Sequence, residues 1–406
     1  MIASLHAPVC NALASLPGAT PMNRLTTAAL LFALAGCATT SSSTPSTPIG
    51  GEKKSGGADQ KMAITNVIPF DVASCGPRTL ALTPMTGEVL TGAMLSMTPA
   101  IQECFVDLQS RDGQPFDLKA KMTVAESGVT VDVNGLGASA AGKACVENAL
   151  KKLPIQALPA GGKPVVTEIP ISGGPQTVRV GDNAANDIAG KLRLAQPSMC
   201  ECYLKLADKP APMLKADVEA TGEGPAKITF PTTDELTTCL AGKMQAVALG
   251  DAKAKLSWPL LLKNTYAAQL DPSAPAALRF QQLDGMRAQR TADVLVAAGQ
   301  RVAAALAFDD LAQKYKKKPV KGMLEELTKK CADVSAGDDK QIAAVKALVA
   351  VLEDSQKLVA GEKAKDPQWG QIEPMLAQQL TSSTAEVTRI EDQKKNDLNA
   401  CPKTKY

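Results

Sequence analysis

The chain has 406 residues, of which 45% are apolar, 21% charged and only 3% aromatic, and its formal net charge is +3. Near-neutrality argues against nucleic acid as a partner, because phosphate binding needs a strong cationic excess, and so few aromatic residues point to Ala-rich helical packing rather than an aromatic-lined catalytic pocket. The one histidine is His6, and its loss with an N-terminal signal would leave no imidazole for a triad, for acid–base catalysis or for most zinc sites.

Met22-Asn-Arg24 is a short basic start, Leu25 to Ala33 an apolar core, and Leu34-Ala-Gly-Cys37 a small-residue end. Residues 1–36 therefore read as an over-called start followed by a signal peptide. Leu34-Ala-Gly-Cys37 resembles the lipobox of bacterial lipoproteins. The resemblance implies cleavage before Cys37, acylation of that residue and anchoring in a membrane, with the periplasmic side of the outer membrane as the expected address. The apolar run is too short to span a bilayer. Residues 37–58 are rich in Ser, Thr, Pro and Gly and read as a flexible tether. No later stretch reads as a membrane span. Beyond Cys37 the cysteines are Cys75, Cys104, Cys145, Cys200, Cys202, Cys239, Cys331 and Cys401. An even number in an exported chain favours disulfides.

Ten residues then occur twice. Pro99-Ala-Ile-Gln-Glu-Cys-Phe-Val-Asp-Leu108 is matched by Pro197-Ser-Met-Cys-Glu-Cys-Tyr-Leu-Lys-Leu206 at an offset of 98 residues. The same offset superposes Gly76-Pro-Arg-Thr-Leu-Ala-Leu82 on Gly174-Pro-Gln-Thr-Val-Arg-Val180. One fixed offset across separated stretches indicates a tandem repeat, with units at 59–172 and 173–263.

In the first unit, 86–108 has helical spacing, with Pro99 set to kink or restart it. Arg111 to Pro115 is a turn. Phe116 to Val124 alternates as a half-buried strand, and Glu126-Ser-Gly128 turns into a second strand, Val129 to Val133. Residues 138–153 are helical, and Val165 to Ile171 is a last strand. The second unit repeats the order: helix 183–206, strand 214–220, strand 226–230, helix 233–247, strand 255–261. Cys104 and Cys145 fall on the two helices of unit one, and Cys202 and Cys239 on those of unit two. Helices side by side on one sheet face could bring each pair within bonding distance, which stabilises by roughly 3–4 kcal/mol. The last strands carry Pro170 and Pro259, which suits a sheet edge. Val165, Val166, Thr167, Glu168, Lys255, Leu256 and Ser257 are then the open positions for a partner strand.

Ile101-Gln-Glu-Cys-Phe105, Ser127-Gly128 and Ala144-Cys-Val146 resemble the TonB-type C-terminal domain, in its disulfide-bearing AgmX/PglI C-terminal form. Met199-Cys-Glu-Cys-Tyr203 and Thr238-Cys-Leu240 match more loosely. The resemblance covers 76–172 and 174–262 and implies partner binding in the cell envelope rather than chemistry. The family's Trp-x-Phe-Pro segment is replaced by Leu153-Pro-Ile155. The lipid anchor stands where TonB proper has a membrane helix, which removes the basis for energy transduction.

Residues 264–406 change to an Ala, Gln, Lys, Glu and Leu texture with helical periodicity. Pro275 can open a first helix at its first position and Pro319 ends it. A shorter helix follows over 320–334. Asp338 opens a third, and Asp366-Pro367 caps and opens a fourth. Cys331 and Cys401 would each end a helix on the same side of an antiparallel assembly and could pair.

Five stretches carry possible chemistry. Gly137-Ala-Ser-Ala-Ala-Gly-Lys143-Ala144 nearly matches a phosphate-binding loop but has Ala144 where Mg²⁺ needs Ser or Thr, so it reads first as a helix start. Cys200-Glu-Cys202 lacks the second cluster that zinc needs; Cys202 is expected to bond Cys239, with Cys200 spare or bonded to Cys75. Asp309-Asp310 and Glu325-Glu326 are adjacent on helices and diverge, so they are no glycosidase pair. Tyr315-Lys-Lys-Lys-Pro-Val-Lys321 reads first as a solvated helix end, with anionic headgroups or envelope polymers as the alternative target. The expected fold is α+β: two small α/β units and an elongated antiparallel helical domain. The expected role is a non-enzymatic envelope lipoprotein with no cofactor or metal. Its partners would be an envelope protein and, through the lipid, the membrane. The rivals are a purely structural lipoprotein and an envelope enzyme.

Overall fold

The computed structural model describes residues 68–107, 115–173, 176–177, 183–206, 208–267, 269–320 and 322–402. The signal, the tether and Cys37 lie outside the described residues, as do most of the turn at 111–115 and most of 174–180. The described chain is mixed α+β, with small sheets followed by a long helical region.

The chain enters through β1 (Phe70–Asp71), then α1 (Gly87–Ser96), whose start is capped by the Thr86 hydroxyl accepting from the Val89 N–H. The single helix expected over 86–108 is broken at Met97. It restarts as α2 (Thr98–Glu103), with Pro99 in the first turn, where a missing N–H costs nothing. A short β2 (Val106–Asp107) follows. β3 (Phe116–Ala125) alternates as its sequence demands: Phe116, Leu118, Ala120, Met122 and Val124 are buried, while Asp117, Lys119 and Lys121 are exposed. It pairs antiparallel with β4 (Gly128–Leu136) on one side. After α3 (Ala140–Lys151), it pairs on the other side with β5 (Val165–Gly173). The sheet order is β4-β3-β5, with α1 lying over β5 and α3 over β4.

The second unit begins with β6 (Gln176–Thr177), α4 (Ala184–Ala195) and a one-turn α5 (Cys200–Tyr203). It continues with β7 (Leu214–Thr221), β8 (Lys227–Thr229), α6 (Glu235–Gln245), β9 (Lys253–Leu260) and β10 (Leu262–Lys263). Its sheet order is β8-β7-β9, and α4 and α6 cover one face. The expected order of elements is present in both units.

The boundary at 59–172 needs correcting. β1 pairs in parallel with β10, and Phe70 and Val72 are buried in the core of the second unit, where Phe70 meets the Tyr203 ring at 5.2 Å. In return β6 pairs in parallel with β2 of the first unit. Each lead-in segment therefore pairs with the other unit. An apolar Phe-x-Val lead-in has no room in a first core already closed by α1, whose Val89, Leu90, Ala93 and Met94 are fully buried.

The helical region has three long helices: α7 (Ala276–Lys317), α8 (Met323–Lys363) and α9 (Glu373–Ala400). They are about 63, 62 and 42 Å long at 1.5 Å per residue. The expected break at 334–338 is absent. Asp338 is not a cap but lies mid-helix and fully buried, accepting from Arg301 Nε at 2.9 Å. Pro275 is the residue before α7 rather than its first position. Asp366 accepts from the Gln368 N–H and opens a 3₁₀ turn at Pro367–Gln371 before α9. That turn seats Trp369 edge-on against Phe280, with ring centroids 5.4 Å apart.

α7 packs on both α1 and α8. Gly92 makes the first crossing close: a Cβ there would stand 2.7 Å from the Ala292 carbonyl oxygen. Contrary to the sequence reading, α7 is long and apolar enough to cross a membrane by length and composition. Its Val294, Leu295 and Ala298 are instead buried in the core shared with Val345, Leu348 and Leu352 of α8, and its Asp293 and Arg301 are ion-paired.

Candidate functional site

The residues expected to accept a partner strand lie on β5 and β9, and both strands are last in their sheets. Along β5, Val166 and Glu168 face solvent, with Val166 49% exposed. Glu168 reaches Lys119 at 3.5 Å across the sheet. Val165 and Thr167 turn toward the helices, and Thr167 shares a 2.7 Å hydrogen bond with Thr91 of α1. Along β9, Lys255 pairs with Glu219 at 2.6 Å, Ser257 donates to Asp217 at 2.6 Å, and Leu256 is buried. Leu256 would therefore offer an incoming strand only its backbone, whereas Val166, Lys255 and Ser257 would offer side chains as well.

All eight cysteines after Cys37 are bonded in pairs. Cys104–Cys145 and Cys202–Cys239 lie within the units, with Cα atoms 5.6 and 5.7 Å apart. Cys200 is not spare: it bonds Cys75, at a Cα separation of 5.1 Å. One turn of helix thus holds both the lead-in of unit one and α6. Cys331 bonds Cys401 at 5.9 Å, but for a different reason from the one expected. Cys331 lies inside α8 rather than at a helix end, and α9 terminates beside it.

The sequence reading missed the junction between the units. Arg193 on α4 donates through Nη1 and Nη2 to the two oxygens of Glu103 on α2, at 3.1 and 2.9 Å. Its Nε donates to the Ile68 carbonyl at 2.7 Å and Nη2 to the Pro69 carbonyl at 3.3 Å. Its guanidinium carbon lies 5.4 Å from the Phe70 ring centre. Beside it Asp71 is buried, accepts from the Ala73 and Thr265 N–H groups, and has Lys263 at 3.8 Å. Burial pushes the Asp71 carboxyl up despite the pull of Lys263, and pushes Glu103 up despite Arg193. Asp338 is raised by burial in the same way against Arg301, which is also paired with Asp397. Burial raises the Tyr203 hydroxyl as well.

These shifts fix a sign. A carboxyl whose folded pKa is raised binds its proton more tightly in the folded chain. Its contribution is fully present below the unfolded pKa and is lost as pH rises through the folded one. Asp71, Glu103 and Asp338 should therefore make the protein more resistant to urea as pH falls from 7 toward about 4.5. Asp234 and Asp271, whose carboxylates are held down by hydrogen bonds from Thr237 and Ser273, act in the opposite sense, and only below about 4. Urea midpoints at pH 7 and pH 5 check this, and Asp338→Asn should shrink the difference between them.

The remaining candidates resolve into structure. Ser139 of the phosphate-loop-like stretch caps α3 by accepting from the Gly142 N–H. Lys143 donates to the Gly135 carbonyl at 2.7 Å, so the lysine such a loop would need is directed at backbone. β4, which precedes it, is an edge strand of an antiparallel sheet. Glu325 and Glu326 lie in the first turn of α8, exposed. No cluster of three or more His, Cys, Asp or Glu suited to a metal occurs among the described residues. Comparisons with protein-family models, curated proteins and solved structures give no match for the chain.

Proposed function

We propose that the chain is a non-enzymatic envelope lipoprotein, anchored through Cys37, that holds a protein partner on the open edges of two TonB-like units. The observation that carries this reading is the position of β5 and β9, each last in a three-stranded sheet with no further strand beyond it among the described residues. An unpaired edge is a template for a partner strand. The Leu34-Ala-Gly-Cys37 motif supports the anchor, and the resemblance of 76–172 and 174–262 to TonB-type domains supports binding over chemistry. The helical region serves in this reading as a spacer. A purely structural lipoprotein is the second reading, favoured by the exchanged lead-ins and the Cys75–Cys200 disulfide, which close the units on each other.

The test is made in the source cell with the full chain. A photo-activated cross-linking residue at Glu168 or Lys255 should give an adduct of defined mass. Val166→Pro should erase the Glu168 adduct while circular dichroism stays unchanged. Adducts at neither position would leave the structural reading ahead. Cys37→Ser should leave the membrane fraction; a variant still membrane-bound and processed to the same mass would remove the lipoprotein part.

A further inference from the structure

α9 stops at Ala400, beside the Cys331–Cys401 disulfide, and beyond it, among the described residues, only the α7–α8 hairpin continues. Its turn at Val320 is about 16 Å further along the helix axis. Residues 308–330 hold seven lysines against Asp309, Asp310, Glu325 and Glu326, so this tip carries a net charge equal to the +3 of the whole chain, with the lysines gathered toward the turn. Lys316, Lys317 and Lys318 are exposed, and among the described residues they make no ion pair. Beside these lysines stand Val320, in the turn, and Leu324, in the first turn of α8, 50% and 38% exposed. Glu325 and Glu326 sit in the first turn of α8, where the helix dipole holds them.

We propose that this tip docks onto an anionic phospholipid surface. Lysines near such a surface are attracted additively, and exposed Val and Leu side chains enter the headgroup boundary. A merely solvated helix end has no use for two large apolar side chains among its lysines. A soluble polyanion would meet the charges but offers no apolar layer for Val320 and Leu324. The contact is separate from Cys37 and from the sheet edges, and stands or falls without them.

The experiment uses the full chain carrying Cys37→Ser, so that no acyl chain holds it, and Val320→Trp as the reporter. The two native tryptophans, Trp258 and Trp369, are buried. Added phosphatidylglycerol-containing vesicles should shift the reporter to the blue, and brominated lipid should quench it. Partitioning should be roughly tenfold or more above that to phosphatidylcholine vesicles, and should fall with salt. Lys316→Glu, Lys317→Glu and Lys318→Glu together should abolish the preference with circular dichroism unchanged. Equal partitioning to both vesicles, or a preference that survives the triple substitution, would overturn the proposal. So would a shift produced by dextran sulfate and not by vesicles, which would assign the tip to a polymer.

Discussion

Arg193→Met is expected to destabilise the protein by about 3–5 kcal/mol, the cost of breaking one side of a buried ion pair. Arg193 and Glu103 are only 6% and 13% exposed. Without the guanidinium, Glu103 stays buried with no cation among the described residues within hydrogen-bond reach. The Ile68 and Pro69 carbonyls lose their donor, and Phe70 loses its cationic neighbour. Arg193→Lys should recover only part of the loss, because an ammonium cannot serve two carboxylate oxygens and two carbonyls at once. Arg193→Met with Glu103→Leu should recover more, since two apolar side chains leave no uncompensated charge. Urea unfolding of the single and double variants forms a closed cycle. A single-variant loss under about 1 kcal/mol would mean that this junction is solvated, the ordinary worth of a surface pair.

That junction shows where the sequence was legible and where it was not. The alternation in Phe116 to Val124 and Leu214 to Ala220 identified both central strands, because one buried face imposes a period of two. The repeat identified the order of elements. The same repeat concealed the asymmetry that matters most. At the 98-residue offset Arg193 corresponds to Leu95, Cys75 to Gly173, and the buried Glu103 to Glu201, which is exposed and pairs with Lys243. A local pattern reports what each copy shares, whereas the exchange of lead-ins depends on which copy comes first. In the helical region the misreading had another cause. Gly337-Asp338 looks like a stop followed by a cap, yet α8 runs through it because Asp338 finds Arg301 on α7, a contact 37 residues away. Burial there overrides local preference. The edge residues were legible through Pro170 and Pro259, since proline cannot donate to a central ladder.

Replacing Cys75 and Cys200 together by Ala should cost about 4–5 kcal/mol, more than the roughly 4 kcal/mol expected from opening Cys104–Cys145. The two bonds span 125 and 41 residues of sequence. Closing a longer loop removes more entropy from the unfolded chain, and the intact Cys104–Cys145 bond shortens the larger loop only in part. The expected damage is local before it is global. Cys75 ends the lead-in that carries β1, so its release frees Phe70 and Val72 from the second unit's core and loosens the pairing with Leu262–Lys263. Hydrogen exchange should then rise at Phe70 and at Leu262–Lys263 while β3 and β7 stay protected. Opening Cys331–Cys401 should leave all of these segments unchanged, because that bond lies in the helical region. Peptide mapping without reduction gives the independent check. Recovery of Cys104 joined to Cys202, or of Cys75 as a free thiol, would contradict the exchanged lead-in and with it the expected ranking.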